Sequence, residues 1–176
     1  MLAAHPHAPA PAGVSLAASL PGDEPGAFVC EFRLLAEPGR LRLPAGRGGL
    51  RTDELWRHTC FEAFLAAEGG AAYCEFNFSP AGDWAAYHFD GYRAGMRTLE
   101  LAAPPRLTLQ RGISGLTLKA SVPLAGLFAR GAALAVALSA VLEDERGTLS
   151  WWALRHPEGR PDFHHAAGFV LAARAP

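Results

Sequence analysis

The sequence predicts an all-β protein, an antiparallel two-sheet β-sandwich, immunoglobulin-like in general architecture. Three observations predict it. Nineteen glycines and fourteen prolines fall at short intervals, often paired as in Pro21-Gly22, Pro38-Gly39, Gly69-Gly70 and Pro104-Pro105, which is turn chemistry. Between them lie roughly ten short runs with the period-two alternation of a half-buried strand. Helical periodicity is weak: only residues 123–129, with Pro123 at a first helical position, predict a turn of helix.

The elements follow in chain order. Residues 1–12, rich in Ala, Pro and His, predict a flexible leader ahead of one domain over 13–176. Val14, Leu16, Ala18 and Leu20 alternate in a first strand, and Phe28, Cys30, Phe32 and Leu34 in a second; residues 41–43 suit a short third. Strands are predicted over 58–65, 73–78 and 84–89, and later over 107–109, 116–122, 134–142, 149–154 and 168–173. Short strands at this spacing favour antiparallel pairing over βαβ units.

Composition excludes several function classes. Half the residues are apolar, 19% are charged and the formal net charge is −1, which excludes a disordered chain. The sixteen basic residues form no cluster, so no nucleic-acid surface is expected. No apolar stretch reaches the ~18 residues of a membrane span. Three cysteines without close spacing argue against both a disulfide framework and a CxxC metal site. Without a basic and apolar signal segment at the amino terminus, a cytoplasmic location is expected.

Residues 50–93 carry the functional signal. Successive strand side chains point to opposite faces. With Thr59, Phe61, Ala63 and Leu65 inward, the first strand here shows His58, Cys60, Glu62 and Phe64 on its other face. The next, with Cys74, Phe76 and Phe78 inward, shows Tyr73, Glu75, Asn77 and Ser79. In the third, Ala85, Tyr87 and Phe89 are expected to pack, leaving Trp84, Ala86 and His88 outward. One sheet face would then join His58, Glu62, Tyr73, Glu75, Asn77 and His88, with Trp56 and Trp84 at its ends. Aromatic rings with carboxylates and an amide suit a polyhydroxylated ligand: the rings cover C–H faces, and the polar groups bind hydroxyls. The carboxyl-terminal segment adds Trp151, Trp152, His156, Asp162, Phe163, His164 and His165. Adjacent histidines on an extended chain point apart, so no metal site is expected there.

WRHTCFE (residues 56–62), EFNFSPAGDWAAY (75–87), GLTLKASVPL (115–124) and SWWALRHPEGRPDFHHAAGFVLA (150–172) resemble, in order and spacing, the family 9 carbohydrate-binding modules. They also resemble the wider DOMON-like superfamily, above all its stand-alone bacterial members. The resemblance implies a β-sandwich with a ligand site on the concave face of one sheet. In those modules a Trp stacks on the sugar and a Glu six residues later binds hydroxyls, the spacing of Trp56 and Glu62. The next strand supplies a polar side chain, which corresponds to Asn77. A second Trp from the carboxyl-terminal loop completes the aromatic sandwich; here Phe163 or Trp152 would have to serve. Asp53, Glu54, Asp83 and Asp90 do not form a calcium loop, and no cofactor is expected. Other DOMON relatives bind haem through Met and His, for which the sequence offers Met96 with His156 or His164.

The expected function is therefore a non-catalytic module that binds a small sugar-like ligand. One alternative is a domain that docks another protein through the exposed aromatic face. Another is a glycan-acting enzyme using Glu62 and Glu75 as acid and base, although no nucleophile elbow, phosphate loop or HExxH signature is present.

Overall fold

Twelve strands make two antiparallel sheets in the computed structural model, which describes residues 1–22, 24–46 and 48–176. They are β1 (Ala3–Ala4), β2 (Ser15–Ser19), β3 (Ala27–Leu35), β4 (Cys60–Ala67), β5 (Tyr73–Phe78) and β6 (Trp84–Phe89). After these come β7 (Arg97–Thr98), β8 (Arg106–Gly112), β9 (Gly115–Pro123), β10 (Ala133–Glu143), β11 (Leu149–Ala153) and β12 (Leu171–Arg174). The larger sheet runs β1-β11-β10-β4-β5-β6-β7, and the smaller β2-β3-β9-β8. On the edge of β10 away from β4, β11 pairs with residues 139–143 and β12 with 133–136. Most of the alternating runs became strands near the expected places, although the last, expected over 168–173, is strand only at Leu171–Arg174 after a 3-10 turn at Ala166–Gly168, and the sandwich is the fold.

The core lies between the sheets. Phe61, Ala63 and Leu65 of β4, with Cys74, Phe76 and Phe78 of β5, meet Phe28, Phe32, Leu118 and Val122 of the smaller sheet, all buried. The Phe32 and Phe61 rings touch across the interface at 5.1 Å between centroids. Each aromatic side chain so buried contributes roughly 1.5–3 kcal/mol.

Three expectations need correction here. The amino-terminal segment does not hang free: Ala3 and Ala4 pair with Ala153 and Trp152. Leu2 enters the core, and its N–H donates to the Leu16 carbonyl of the other sheet at 2.9 Å. An unpaired edge of β11 recruits any short extended segment beside it, and one buried leucine adds to the hold. Residues 41–43 reduce to a single bridge, Leu41 to Asp144. Residues 123–129 form a turn, not a helix, because Pro123 is still the last residue of β9.

The larger sheet is buried on both faces. In β5 every residue is buried, and in β4 all but the last. One face meets the smaller sheet. The other collects Phe64, Tyr73, Ala85, Tyr87, Phe89 and Ala137 beneath three irregular segments. These are the 3-10 turn Leu55–Arg57, the loop between β6 and β7, and the long connection from β11 to β12.

Candidate functional site

A cavity of about 350 Å³ opens on this second face. Strands supply its floor: Glu62 from β4, Glu75 from β5, Phe89 from β6, Val141 from β10 and Trp151 from β11. Irregular segments supply its walls, with Trp56 on one side, Arg93 and Met96 on another, and Pro161, Phe163 and His164 on a third.

Cross-strand register explains the floor. Glu62 lies opposite Asn77, and Glu75 opposite Phe64 and Tyr87, so the two glutamates are diagonal neighbours on one face. Glu62 is 3% exposed and Glu75 5%. Glu62 Oε2 accepts from Ser139 Oγ at 3.2 Å. Glu75 Oε1 accepts from Asn77 Nδ2 at 2.7 Å, and Asn77 Oδ1 in turn lies 3.5 Å from the Cys60 thiol that donates to it. Asn77 thus orients Glu75 from below instead of lining the cavity.

Burial pushes the Glu75 carboxyl up to about 7, against the opposing bond from Asn77 and the field of Arg93. Glu62 is pushed well above the usual carboxylate range, first by burial and then by the charge of Glu75. His164 goes the other way, down to about 4, through burial and the nearby Arg93 guanidinium. Its ring is therefore neutral at pH 7. The Arg93 N–H donates to the Tyr73 hydroxyl oxygen at 3.2 Å. The same hydroxyl lies 2.7 Å from His164 Nδ1, and His164 Nε2 lies 3.8 Å from Glu75 Oε2.

The walls are tied together. Arg93 Nη2 bonds Asp162 Oδ1 at 2.8 Å, and the Tyr92 hydroxyl donates to Asp162 Oδ2 at 2.5 Å. Burial raises Asp162, but these two partners outweigh it and hold the carboxylate below its usual range. Arg93 sits at φ 52 and Glu54 at φ 60. Glu54 turns the chain into the segment that carries Trp56, and Arg93 turns the loop over Tyr73. Gly95 closes that loop at φ 64, where a Cβ would overlap the Asp90 carboxylate. Trp56 packs edge-on against Tyr87, with centroids 5.7 Å apart; the Tyr87 hydroxyl is fixed on Asp53 at 2.7 Å.

Of the residues expected at the site, Trp56, Glu62, Glu75 and Phe163 meet around the cavity, with Asn77 beneath. Four do not. Trp84 pairs with Phe78 and faces the inter-sheet core, and His88 pairs with Cys74 on that same side. The faces of β6 were therefore reversed: Ala85, Tyr87 and Phe89 belong to the site side. Trp152 lies opposite Ala140 in the core, while its neighbour Trp151, opposite Val141, reaches the cavity. His58 is exposed outside the cavity, bonded to Glu143 Oε2 at 2.7 Å. Sequence reasoning did not place Trp151, Arg93 or Met96 on the ligand face, and it linked His164 only to metal or haem. Trp151 was within reach from strand parity, had the β10–β11 register been known; the loop residues carry no periodic signal.

Met96 and His164 line the same cavity, but His164 Nδ1 is engaged by Tyr73 and Nε2 faces Glu75. His156 Nε2 is spent on the Ala3 carbonyl at 2.8 Å. Among the described residues no group of three or more His, Cys, Asp or Glu is placed to hold a metal ion. A larger cavity, about 640 Å³, lies beyond His164 between Gly70, Tyr92 and Phe169, and it contains no carboxyl group.

No family model and no curated protein matches this chain. Fold and cavity together define an antiparallel sandwich with a ligand-sized recess on the outer face of its larger sheet. Among solved structures the chain is similar to a candidate carbohydrate-binding protein from Bacteroides uniformis, with a TM-score of 0.57 and 15% identity over 89% of this chain and 75% of that one. At that identity the likeness is one of fold.

Proposed function

We propose that this chain is a binding module for a small polyhydroxylated, carbohydrate-like ligand seated in the cavity on the larger sheet. One observation carries the reading: the rings of Trp56, Trp151 and Phe163 and the carboxyls of Glu62 and Glu75 line one recess of about 350 Å³. Rings take the apolar C–H faces of a sugar, and each hydrogen bond between its hydroxyls and the carboxyls contributes roughly 0.5–1.5 kcal/mol, more where the carboxyl is ionised. A recess also suits a small molecule better than a docked protein, which calls for a broad exposed patch. The fold likeness to a candidate carbohydrate-binding protein supports the same reading.

Titration calorimetry against mono- and disaccharides tests it. A sugar should bind, and Trp56→Ala and Glu62→Gln should each weaken binding at least ten-fold while thermal unfolding stays cooperative. Undiminished affinity in both variants would move the ligand elsewhere.

A second reading draws on Glu75, which burial brings to about 7, the range that suits a general acid or base at neutral pH. With Glu62 as its diagonal neighbour, the pair could act on a glycosidic bond. Release of reducing sugar from an oligosaccharide by the wild type, abolished in Glu75→Gln, would establish that activity; intact oligosaccharide after prolonged incubation would remove it.

A further inference from the structure

Among the described residues the cavity floor holds two buried carboxyl groups and no cation to match them. Glu62 has no ion pair there, and the approach of His164 to Glu75 Oε2 at 3.8 Å involves a neutral ring. The Arg93 guanidinium stands at the rim, already engaged by Asp162 at 2.8 Å. Hydrogen bonding is equally incomplete. Glu62 accepts only from Ser139 and Glu75 only from Asn77, although a carboxylate offers about four lone-pair sites. Glu62 Oε1 and Glu75 Oε2 accept no hydrogen bond from the described residues. Both side chains are more than nine-tenths buried, and both line the cavity.

Resting on the binding-module reading, we propose that the ligand presents a protonated amino group to Glu62 and Glu75, so that its chemical class is the amino sugar and not the neutral sugar. Three features of the recess converge on a cation. An ammonium brings three donors and can serve both unpaired carboxyl oxygens while keeping one for a third partner. Its charge offsets the repulsion that makes two neighbouring carboxyls share protons before a ligand arrives. The rings of Trp56, Trp151 and Phe163 line the same space, and aromatic faces attract cations. A neutral sugar could fill the lone pairs, but it brings no charge to favour the ionised carboxyls, whose hydrogen bonds are the stronger ones.

Proton balance makes the inference measurable. Burial raises both carboxyls, Glu75 to about 7, so without ligand the pair is not fully ionised at pH 7. The ammonium binds their ionised form, so each carboxyl that ionises releases a proton to the buffer.

The experiment is titration calorimetry of the full chain at pH 7 with glucosamine, N-acetylglucosamine, glucose and methylammonium, in two buffers of different ionisation heat. Glucosamine should bind at least ten-fold tighter than glucose or N-acetylglucosamine, with net proton release that the neutral sugars lack. Glu75→Gln should weaken glucosamine binding more than N-acetylglucosamine binding. Equal affinity for glucosamine and glucose would overturn the amino-group inference and leave the sugar-binding reading standing. Methylammonium binding as tightly as glucosamine would overturn the amino-sugar assignment through its carbohydrate half. No binding of any sugar would end both.

Discussion

Replacing Glu75 by glutamine should make the protein progressively more stable than the wild type as pH rises. The carboxyl holds its proton more tightly in the folded state, at about 7, than at its ordinary value of 4.5. For an acid with a raised value, folding is unpenalised below the ordinary value, and stability is lost as pH climbs through the folded one. The interval of about 2.5 pKa units corresponds to about 3 kcal/mol at 1.36 kcal/mol per unit. The amide of the Glu75→Gln variant would keep the acceptor for Asn77 Nδ2 and never ionise. Removing the Glu75 charge also relieves Glu62, whose raised value owes part of its rise to that charge, so both effects have one sign. In a domain of this size about 3 kcal/mol amounts to about 6–12 °C in Tm. The assay is the Tm difference between Glu75→Gln and wild type at half-unit steps from pH 4 to pH 8. It should start near zero and widen, with most of the change between pH 5 and pH 7.5. His164 supplies a control of opposite sign. Its ring is held at about 4 against an ordinary 6.5, so its contribution is complete above 6.5 and lost as pH falls through 4; His164→Gln should abolish that acid-side loss. A Glu75→Gln difference constant across the whole range would show that the carboxyl titrates as if in water, and the buried floor would be refuted.

Two further outcomes follow from strand parity. Trp151→Ala should weaken ligand binding at least ten-fold with little loss of stability, whereas Trp152→Ala should cost about 3–5 kcal/mol by emptying a core position; denaturant unfolding and calorimetry on the two variants separate them, and the reverse pattern would mean a register shifted by one residue. Phe61→Ala and Phe76→Ala, both at fully buried positions, should each cost about 3–5 kcal/mol in urea unfolding, and a neutral result at either would put that ring outside the inter-sheet core.

The strands were legible because turn residues punctuate them and apolar side chains alternate within them. Parity was legible only where one set was plainly polar. In β5 the sets are Cys74, Phe76, Phe78 and Tyr73, Glu75, Asn77, and the carboxyl and amide settle the matter. In β6 they are Ala85, Tyr87, Phe89 and Trp84, Ala86, His88, equally apolar, because the larger sheet is buried on both faces. A strand with two dry sides loses the polar-out signal. What fixes β6 is the turn at residues 79–83, where Ser79 N–H donates to the Asp83 carbonyl at 2.9 Å and sets Phe78 opposite Trp84. The same holds for Trp151 and Trp152, whose faces depend on the turn after β10. Arg93, Met96 and His164 had no comparable signal, since tertiary contacts alone bring their loops to the site.

Floor and walls of the cavity are built by different rules, and that division bears on how the site works. The two carboxyls sit on central strands, where neighbours on both sides fix each backbone and where burial, not solvent, sets the carboxyl chemistry. Trp56, Phe163 and the rim groups sit on irregular segments whose positions are enforced by local strain and tethers. Among the described residues only Glu54 and Arg93 hold positive φ without being glycine, and both lie in wall segments. Such conformations cost of order 1–3 kcal/mol each and persist where the surroundings over-determine them. Around Arg93 those surroundings are the Tyr73 hydroxyl, Asp162 and, through Asp162, the backbone of His164. The Arg93–Asp162 pair is half-exposed on its arginine side and contributes little to stability as an ion pair. Its consequence is geometric: it fixes the loop that carries Met96 relative to the segment that carries Phe163. Substitutions of Trp56 and Phe163 should therefore alter which ligand fits while leaving the protonation of the floor in place, whereas substitutions of Glu62 or Glu75 should change the charge of the floor and ligand affinity together.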